Sequence, residues 1–196
     1  MLLPIFYGPN MRVDPQIGIM SYLSQFDHEI TWVLSSESSR TAQRQLYNKI
    51  IVRAAPNVHY FNEASVVGKA CNYIPAAIRK TCLLLDVFRQ GKYDLIFAKD
   101  NPLDGLVGVY IKSIYKIPLV FELTDPLEQE WEGYRIENKK PLFLWYLLAK
   151  VKALLYIYIL KKADLVLTTT RGFEEGLVKK GIPKSKMVPH PNGADM

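Results

Sequence analysis

Residues 94–123 have the sequence DLIFAKDNPLDGLVGVYIKSIYKIPLVFEL, and the fold class follows most directly from this stretch. Two short apolar runs, at 94–98 and 117–123, flank a predicted helix at 103–115. A continuous apolar run is typical of a strand that is covered on both faces, as in a parallel sheet. Pro118 is compatible with the second run because it stands at the start of that strand. The stretch therefore predicts a strand, a crossover helix and a parallel strand.

The same alternation extends to both sides of this stretch. Further strands are predicted at 2–7, 28–34, 58–61, 163–169 and 187–189. Further helices are predicted at 21–26, 41–50, 66–89, 142–162 and 173–180, with Pro75 expected to kink or split the third of these. Strands separated by helices indicate an α/β protein: a single Rossmann-like, doubly wound domain with a mostly parallel sheet of about seven strands.

Length and composition exclude several classes of protein. The 196 residues are 49% hydrophobic and 22% charged, which is enough for a real core and excludes disorder over most of the chain. The two cysteines exclude a disulfide scaffold and a cysteine-rich zinc module. Cys71 and Cys82 are predicted on one helix, about 16 Å apart, too far to form a disulfide bond. A reducing cytoplasm is the simpler environment.

The positive charge of the chain is concentrated in its last third. The net charge is +6, but residues 139–196 alone carry 11 Lys/Arg and 4 Asp/Glu, a net of +7. An anionic membrane, phosphates or nucleic acid could meet such a surface, and a solvated helix face is the plain alternative. The apolar stretch 142–160 has Lys150 and Lys152 at its centre, so we expect a helix buried on one side, or lying in a membrane interface, rather than a spanning helix.

Several catalytic motifs are missing from the sequence. It contains no G-x-G-x-x-G, no G-x-x-x-x-G-K-[ST] and no G-x-S-x-G, which disfavours a plain dehydrogenase, a P-loop ATPase and an α/β-hydrolase. The three histidines are dispersed, so we expect no metal site. We also expect no cofactor. Nucleic-acid binding is disfavoured because the basic third matches no known motif and lacks exposed aromatic residues on strands.

Ligands of open α/β sheets bind at the carboxyl ends of the strands, so the residues that follow each predicted strand are the candidates for a site. Those selected as substrate-binding are Asn10, Gln16, Gly18, Asp100, Glu122, Thr124, Thr170 and Arg171. Asp125 is the candidate catalytic residue, since a carboxylate there could accept a hydrogen bond or a proton from a sugar hydroxyl. It could equally be a helix N-cap, with Pro126 at the first helical position.

Two segments carry a family resemblance. Residues 162–195, KADLVLTTTRGFEEGLVKKGIPKSKMVPHPNGAD, resemble the end of the N-terminal domain of family-4 glycosyltransferases of the GT-B fold, which have an ADxVxxxS strand followed by GxPxxKxxxxPNGxD. Residues 117–131, IPLVFELTDPLEQEW, are similar to the PxVxExRDxWP segment of the branch that builds capsular and O-antigen sugars. Thr124 stands where that branch often has Arg, and the first loop has one glycine, Gly18, where the family has two.

The resemblance implies a retaining enzyme with two Rossmann-like domains that face a cleft and usually need no metal. Residues 1–190 would be the acceptor-binding domain and residues 191–196 the start of a linker, with the C-terminal nucleotide-sugar-binding domain absent. The fragment alone would be inactive. Asp125 would orient a hydroxyl of a glycan or lipid-linked acceptor, in polysaccharide or glycoconjugate synthesis.

The donor would be a nucleotide-sugar, bound mainly by the other domain. A cytoplasmic location is expected, peripheral at the inner face of an anionic cell membrane, because many acceptors of this branch are lipid-linked. The alternative is a non-catalytic module that scaffolds a separate catalytic subunit or recruits it to the membrane.

Overall fold

The computed structural model describes residues 20, 22–36, 42–46, 50–56, 66–124 and 143–190. The chain divides into two compact units, residues 1–94 and 95–196, each with its own sheet. The predicted strands at 2–7 and 58–61 lie outside the described residues. So do Asn10, Gln16, Gly18 and Asp125.

The first unit has a three-stranded sheet packed against a long helix. Its elements are β1 (Ile30–Ser36), β2 (Ala42–Leu46), β3 (Ile50–Pro56) and α1 (Val66–Gln90), and the strand order is β1-β3-β2. β1 runs parallel to β3, whereas β2 runs antiparallel to it. Large buried side chains such as Trp32, Leu34 and Leu84 form the core of this unit. Burial of this apolar surface is the main force that holds α1 against the sheet.

The helix predicted at 41–50 is wrong, because residues 42–46 form β2 and Ile50 begins β3. The antiparallel register from Ala42 opposite Ala54 to Leu46 opposite Ile50 pairs β2 with the next strand along the chain, and this pairing overrides the helix propensity of the glutamines and arginine in β2. The β-branched run Ile50-Ile51-Val52 favoured a strand. Of the kink or split expected at Pro75, the split does not occur, since α1 is one helix with Pro75 inside it.

The second unit is a four-stranded parallel sheet. Its strands are β4 (Ile96–Lys99), β5 (Leu119–Leu123), β6 (Leu165–Thr168) and β7 (Met187–Pro189), in the order β4-β5-β6-β7. Its helices are α2 (Pro102–Tyr115), α3 (Phe143–Lys162) and α4 (Arg171–Lys179), with a 3-10 turn at Lys184–Lys186. The strand, helix and parallel strand predicted for residues 94–123 are confirmed as β4, α2 and β5.

Local chemistry sets the ends of the two short helices. The Asn101 side chain caps α2 by accepting a 2.9 Å hydrogen bond from the Leu103 N–H. The Thr170 hydroxyl caps α4 by accepting a 3.2 Å bond from the Phe173 N–H. Gly181 follows α4 with φ of 83°, a conformation that favours glycine. The two side-chain caps fix where α2 begins after β4 and where α4 begins after β6.

A close approach brings α2 onto the sheet. A Cβ added to Gly105 would lie 2.7 Å from Phe121 Cε2 and 2.8 Å from Ile159 Cδ1, so only glycine fits between β5 and α3. At the amino ends of the strands, the Asp164 carboxylate accepts hydrogen bonds from the Leu119 N–H and from Lys112 Nζ, at 2.8 and 2.6 Å. Burial acts to raise the pKa of Asp164, but these bonds and the Lys112 charge outweigh it and lower the pKa.

The predicted α/β class with mostly parallel strands is confirmed. The seven described strands are divided between sheets of three and four strands, whereas one sheet was expected. The described part of the chain contains no helix that is both long and apolar enough to cross a membrane.

Candidate functional site

The candidate site lies at the carboxyl ends of the second sheet. Lys99 ends β4, Glu122 is the penultimate residue of β5, and His190 directly follows β7. Because all four strands are parallel, their carboxyl ends share one edge, where ligands of open α/β sheets bind. Polar side chains from strands far apart in the sequence therefore converge there.

Lys99 and Glu122 form a buried ion pair at this edge. They are register neighbours on β4 and β5, and their side chains point to the same face of the sheet. Lys99 Nζ lies 3.3 Å from Glu122 Oε1, with side chains only 13% and 3% exposed. The second carboxylate oxygen, Glu122 Oε2, is buried and has no hydrogen-bond partner among the described residues. A buried carboxylate oxygen without a partner is rare, and it can accept a hydrogen bond from a ligand.

Opposing effects of its surroundings set the pKa of the Glu122 carboxyl group. Burial raises the pKa of Glu122, and the negative charge of Asp100 acts in the same direction. The charge and hydrogen bond of Lys99, and the charge of His190, lower this pKa, but burial outweighs them. A perturbed carboxyl group at a ligand-binding edge is a candidate for binding or proton handling.

Asp100 and Thr124, both predicted to bind substrate, lie together and are hydrogen-bonded to each other. The Asp100 carboxylate accepts hydrogen bonds from the Thr124 N–H at 2.7 Å and from the Thr124 hydroxyl at 2.6 Å. The Thr169 hydroxyl donates a 3.0 Å bond to the Thr124 carbonyl, and the Tyr156 hydroxyl donates to the Asp100 carbonyl. Asp100 itself has φ of 48°, which aspartate tolerates better than most residues. The group holds the chain rigidly where β5 ends, immediately before Asp125.

Thr170 and Arg171 lie at the start of α4, and both are exposed. The Thr170 hydroxyl is occupied as the α4 cap. No described hydrogen bond or ion pair joins either residue to Lys99 or Glu122. The structure thus gives Thr170 a helix-capping role, and whether either residue contacts a ligand stays a prediction.

Sequence reasoning missed His190 as a site residue and missed the Lys99–Glu122 pair. The His190 N–H donates a 2.5 Å hydrogen bond to the Thr168 carbonyl, which extends the β6–β7 pairing by one residue. Its Nδ1 is buried and has no hydrogen-bond partner in the described part of the chain. The sequence signal for His190 was its place directly after the strand predicted at 187–189. The signal for the Lys99–Glu122 pair was the register between the strands predicted at 94–98 and 117–123. Among the described residues, no cluster of three or more His, Cys, Asp or Glu side chains could hold a metal ion.

Several solved structures match the fold of this chain. Sucrose-phosphate synthase from Thermosynechococcus elongatus matches with a TM-score of 0.62 at 12% identity, over 100% of this chain and 91% of that one. Os79 from O. sativa, in complex with UDP, matches with a TM-score of 0.58 at 11% identity, over 100% of this chain and 52% of that one.

HepE from Anabaena, in complex with UDP-glucose, matches with a TM-score of 0.53 at 13% identity, over 100% of this chain and 44% of that one. The chain thus spans about half the length of the last two proteins. At such identities the likeness shows the fold, which is Rossmann-like and resembles the N-terminal half of GT-B glycosyltransferases.

No curated protein sequence matches the chain. The family profile described as Glycosyltransferase Family 4 matches residues 18–196, which is nearly the whole chain. The chain therefore belongs to glycosyltransferase family 4 and corresponds to the N-terminal domain of the GT-B fold.

Proposed function

We propose that this chain is the acceptor-binding half of a retaining glycosyltransferase. The enzyme would move a sugar from a nucleotide-sugar to a glycan or lipid-linked acceptor, in polysaccharide or glycoconjugate synthesis. The observation that supports this best is Glu122 Oε2, a buried oxygen at the carboxyl edge with no partner among the described residues. A sugar hydroxyl is a neutral donor of suitable size for that oxygen, and burial makes a charge-assisted bond to it strong.

The ion pair supports a binding role more than a structural one. A buried pair gains little net stability, because desolvation of both charges offsets their attraction. Lys99 holds Glu122 Oε1, so the carboxylate keeps one orientation and directs Oε2 away from the ammonium. We propose that Glu122 and His190 position the acceptor and that Asn10, Gln16 and Gly18 contribute from the first loop. Thr170 and Arg171 would contribute through their exposed groups at the start of α4.

Asp125 is proposed as the catalytic residue. It follows Thr124, whose N–H, hydroxyl and carbonyl are all hydrogen-bonded to Asp100 or Thr169, so the residue directly before Asp125 is held in place. A carboxylate placed there would orient the acceptor hydroxyl and accept a hydrogen bond from it as the new glycosidic bond forms. Stabilisation of the departing nucleotide diphosphate would come from the other domain.

The donor is proposed to be a nucleotide-sugar held mainly by a C-terminal domain, without a cofactor. This is supported by two of the matching structures, which contain UDP or UDP-glucose in proteins about twice the length of this chain. The alternative, a non-catalytic scaffolding or membrane-recruiting module, predicts that no sugar binds at the carboxyl edge of the second sheet.

A peripheral location at the inner face of the cell membrane is also proposed. The supporting observation is a set of exposed apolar side chains on α2 and α3, at helical spacing and among lysines. On α3 the stripe consists of Leu147, Val151, Leu154 and Tyr158, which are 45–65% exposed. Such a surface would bring the site to lipid-linked acceptors.

Saturation-transfer NMR on the 196-residue chain, with a panel of methyl glycosides at millimolar concentration, tests the acceptor proposal. We expect saturation transfer to at least one glycoside and its loss in Glu122→Gln, which keeps the shape of the side chain. Calorimetry with UDP-glucose is the companion measurement, and weak binding is expected. Micromolar affinity for UDP-glucose, with no transfer to any glycoside, would show that this half does not bind the acceptor.

A further inference from the structure

We propose that a groove between α2 and α3 binds the headgroup phosphate of an anionic phospholipid while the bilayer contacts its apolar rim. This α2–α3 groove is a cavity of about 640 Å³, and its walls include Leu106, Val109, Tyr110, Lys116, Tyr158 and Lys162. It also borders Pro118 and Asp164, which precede β5 and β6, so it lies at the opposite end of the strands from the candidate site. The proposal rests on the peripheral membrane location proposed above and specifies where the lipid binds.

The charges of the groove leave two lysines available. Lys112 Nζ is already used, because it lies 2.6 Å from Asp164 Oδ1 and donates a 2.8 Å bond to the Lys162 carbonyl. Asp164, the acidic residue of the lining, is thereby neutralised. Lys116 and Lys162 also line the cavity, are exposed, and form no ion pair with a described residue. Two unpaired ammonium groups at one cavity form a site for a phosphate monoanion or diester.

The lining between these lysines is apolar and aromatic. Leu106 and Val109 contribute half-buried aliphatic groups, whereas Tyr110 and Tyr158 are 54% and 47% exposed. Tyrosine has an apolar ring and a polar tip, which suits it to the boundary between lipid headgroups and acyl chains. The same two helices carry further exposed apolar residues, Ile114 on α2 and Leu154 on α3.

Charge complementarity favours a lipid over the other occupants. A second copy of the chain on this face would bring the same lysines toward each other, and like charges repel. A small phosphate compound would satisfy the lysines but would leave the tyrosines and aliphatic groups in water. An anionic phospholipid satisfies both, because its phosphate carries the charge and its glycerol backbone and acyl chains cover the apolar rim.

Vesicle co-sedimentation of the 196-residue chain tests the site, with paired charge variants. The site variant is Lys116→Asn with Lys162→Gln. Asparagine is chosen because Lys116 has φ of 60°, a conformation that asparagine tolerates. The control is Lys161→Gln with Lys179→Gln, which removes the same two charges from exposed positions outside the groove. Circular dichroism on each variant checks that the fold is retained.

We expect the wild type to bind vesicles of phosphatidylcholine with phosphatidylglycerol and to bind pure phosphatidylcholine far more weakly. A lysine near an anionic surface contributes roughly fivefold to binding, so the site variant, which lacks two, should bind about 25-fold more weakly, whereas the control should stay within a factor of about 3. Equal weakening of both variants would show diffuse attraction and would overturn the site while leaving the membrane location intact.

Absence of wild-type binding to anionic vesicles would overturn the membrane location itself, together with the site. Glycerol 3-phosphate is tested separately as a soluble ligand, because it has the glycerol and phosphate of the lipid but no acyl chains. Binding of it as tight as binding to vesicles would show that the acyl chains contribute nothing and would overturn the lipid assignment. A concentration-dependent dimer that is abolished in the site variant would identify a second copy as the occupant instead.

Discussion

Replacement of the Lys99–Glu122 pair by apolar residues separates a structural role from a binding role. The two side chains are 13% and 3% exposed, so each charge depends on the other for compensation. Glu122→Leu would leave the Lys99 ammonium buried without a counter-ion. Loss of one partner of a buried pair costs about 3–5 kcal/mol. Because Lys99 retains a small exposed fraction, we expect a value near the lower end, a large share of a typical domain's stability.

The double variant Lys99→Met with Glu122→Leu should recover most of that loss. Both charges are then gone, no desolvation remains to be offset, and the apolar side chains have similar volumes, so the free energy of unfolding should return to within about 1 kcal/mol of wild type. Lys99→Met alone should cost less than Glu122→Leu, since Glu122 can take up a proton when its counter-ion is removed. Urea denaturation followed by circular dichroism measures all four proteins.

The same four proteins also report on ligand binding. If the pair exists for the acceptor, the double variant should be stable yet show no saturation transfer to methyl glycosides. A double variant as unstable as Glu122→Leu would refute the reasoning, because the pair would then be a structural element that apolar packing cannot replace. A double variant that is stable and still binds glycosides would remove Glu122 from the site.

Three further predictions address the fold and the chemistry. Burial raises the pKa of Glu122 above its ordinary 4.5, so the folded state holds this proton more tightly than the unfolded state does. The stability of the wild type should therefore fall relative to that of Glu122→Gln as the pH rises above 4.5. Urea titrations at several pH values measure this, and parallel pH profiles of the two proteins would contradict it. Gly105→Ala should lower stability by about 1 kcal/mol net, since the added Cβ would overlap Phe121. The control Gly176→Ala adds a Cβ in open space and should raise stability by up to about 1 kcal/mol. Equal shifts of the melting temperature in the two variants would argue against the close approach at Gly105. In the complete enzyme, Asp125→Asn should lower turnover about 100-fold if the carboxylate orients the acceptor hydroxyl, and unchanged activity would leave it as a helix cap, because asparagine caps nearly as well.

The local sequence of the second unit was enough to predict most of its elements. Short apolar runs separated by helical stretches indicated β4 to β7, since strands of a parallel sheet are apolar along their whole length. Glu122 was selected from its place at the end of a predicted strand, and the structure puts it at the carboxyl edge. The first unit was harder to predict from sequence, because β2 is polar and becomes a strand only by pairing with β3.

What the sequence by itself determined, then, is the α/β class and the family, and it predicted the edge of the sheet at which the candidate site lies, because these depend on short-range patterns. Only the tertiary structure decided which polar groups meet at that edge. The register of β4 and β5 placed Lys99 against Glu122, and burial left Glu122 Oε2 without a hydrogen-bond partner among the described residues. β7, the fourth strand of that sheet, brought His190 to the same edge. The Asp100 carboxylate, predicted to bind substrate, accepts two hydrogen bonds from Thr124. Such pairings join residues that are distant in the chain, and their energies arise from burial, which a residue acquires only when the sheet has formed.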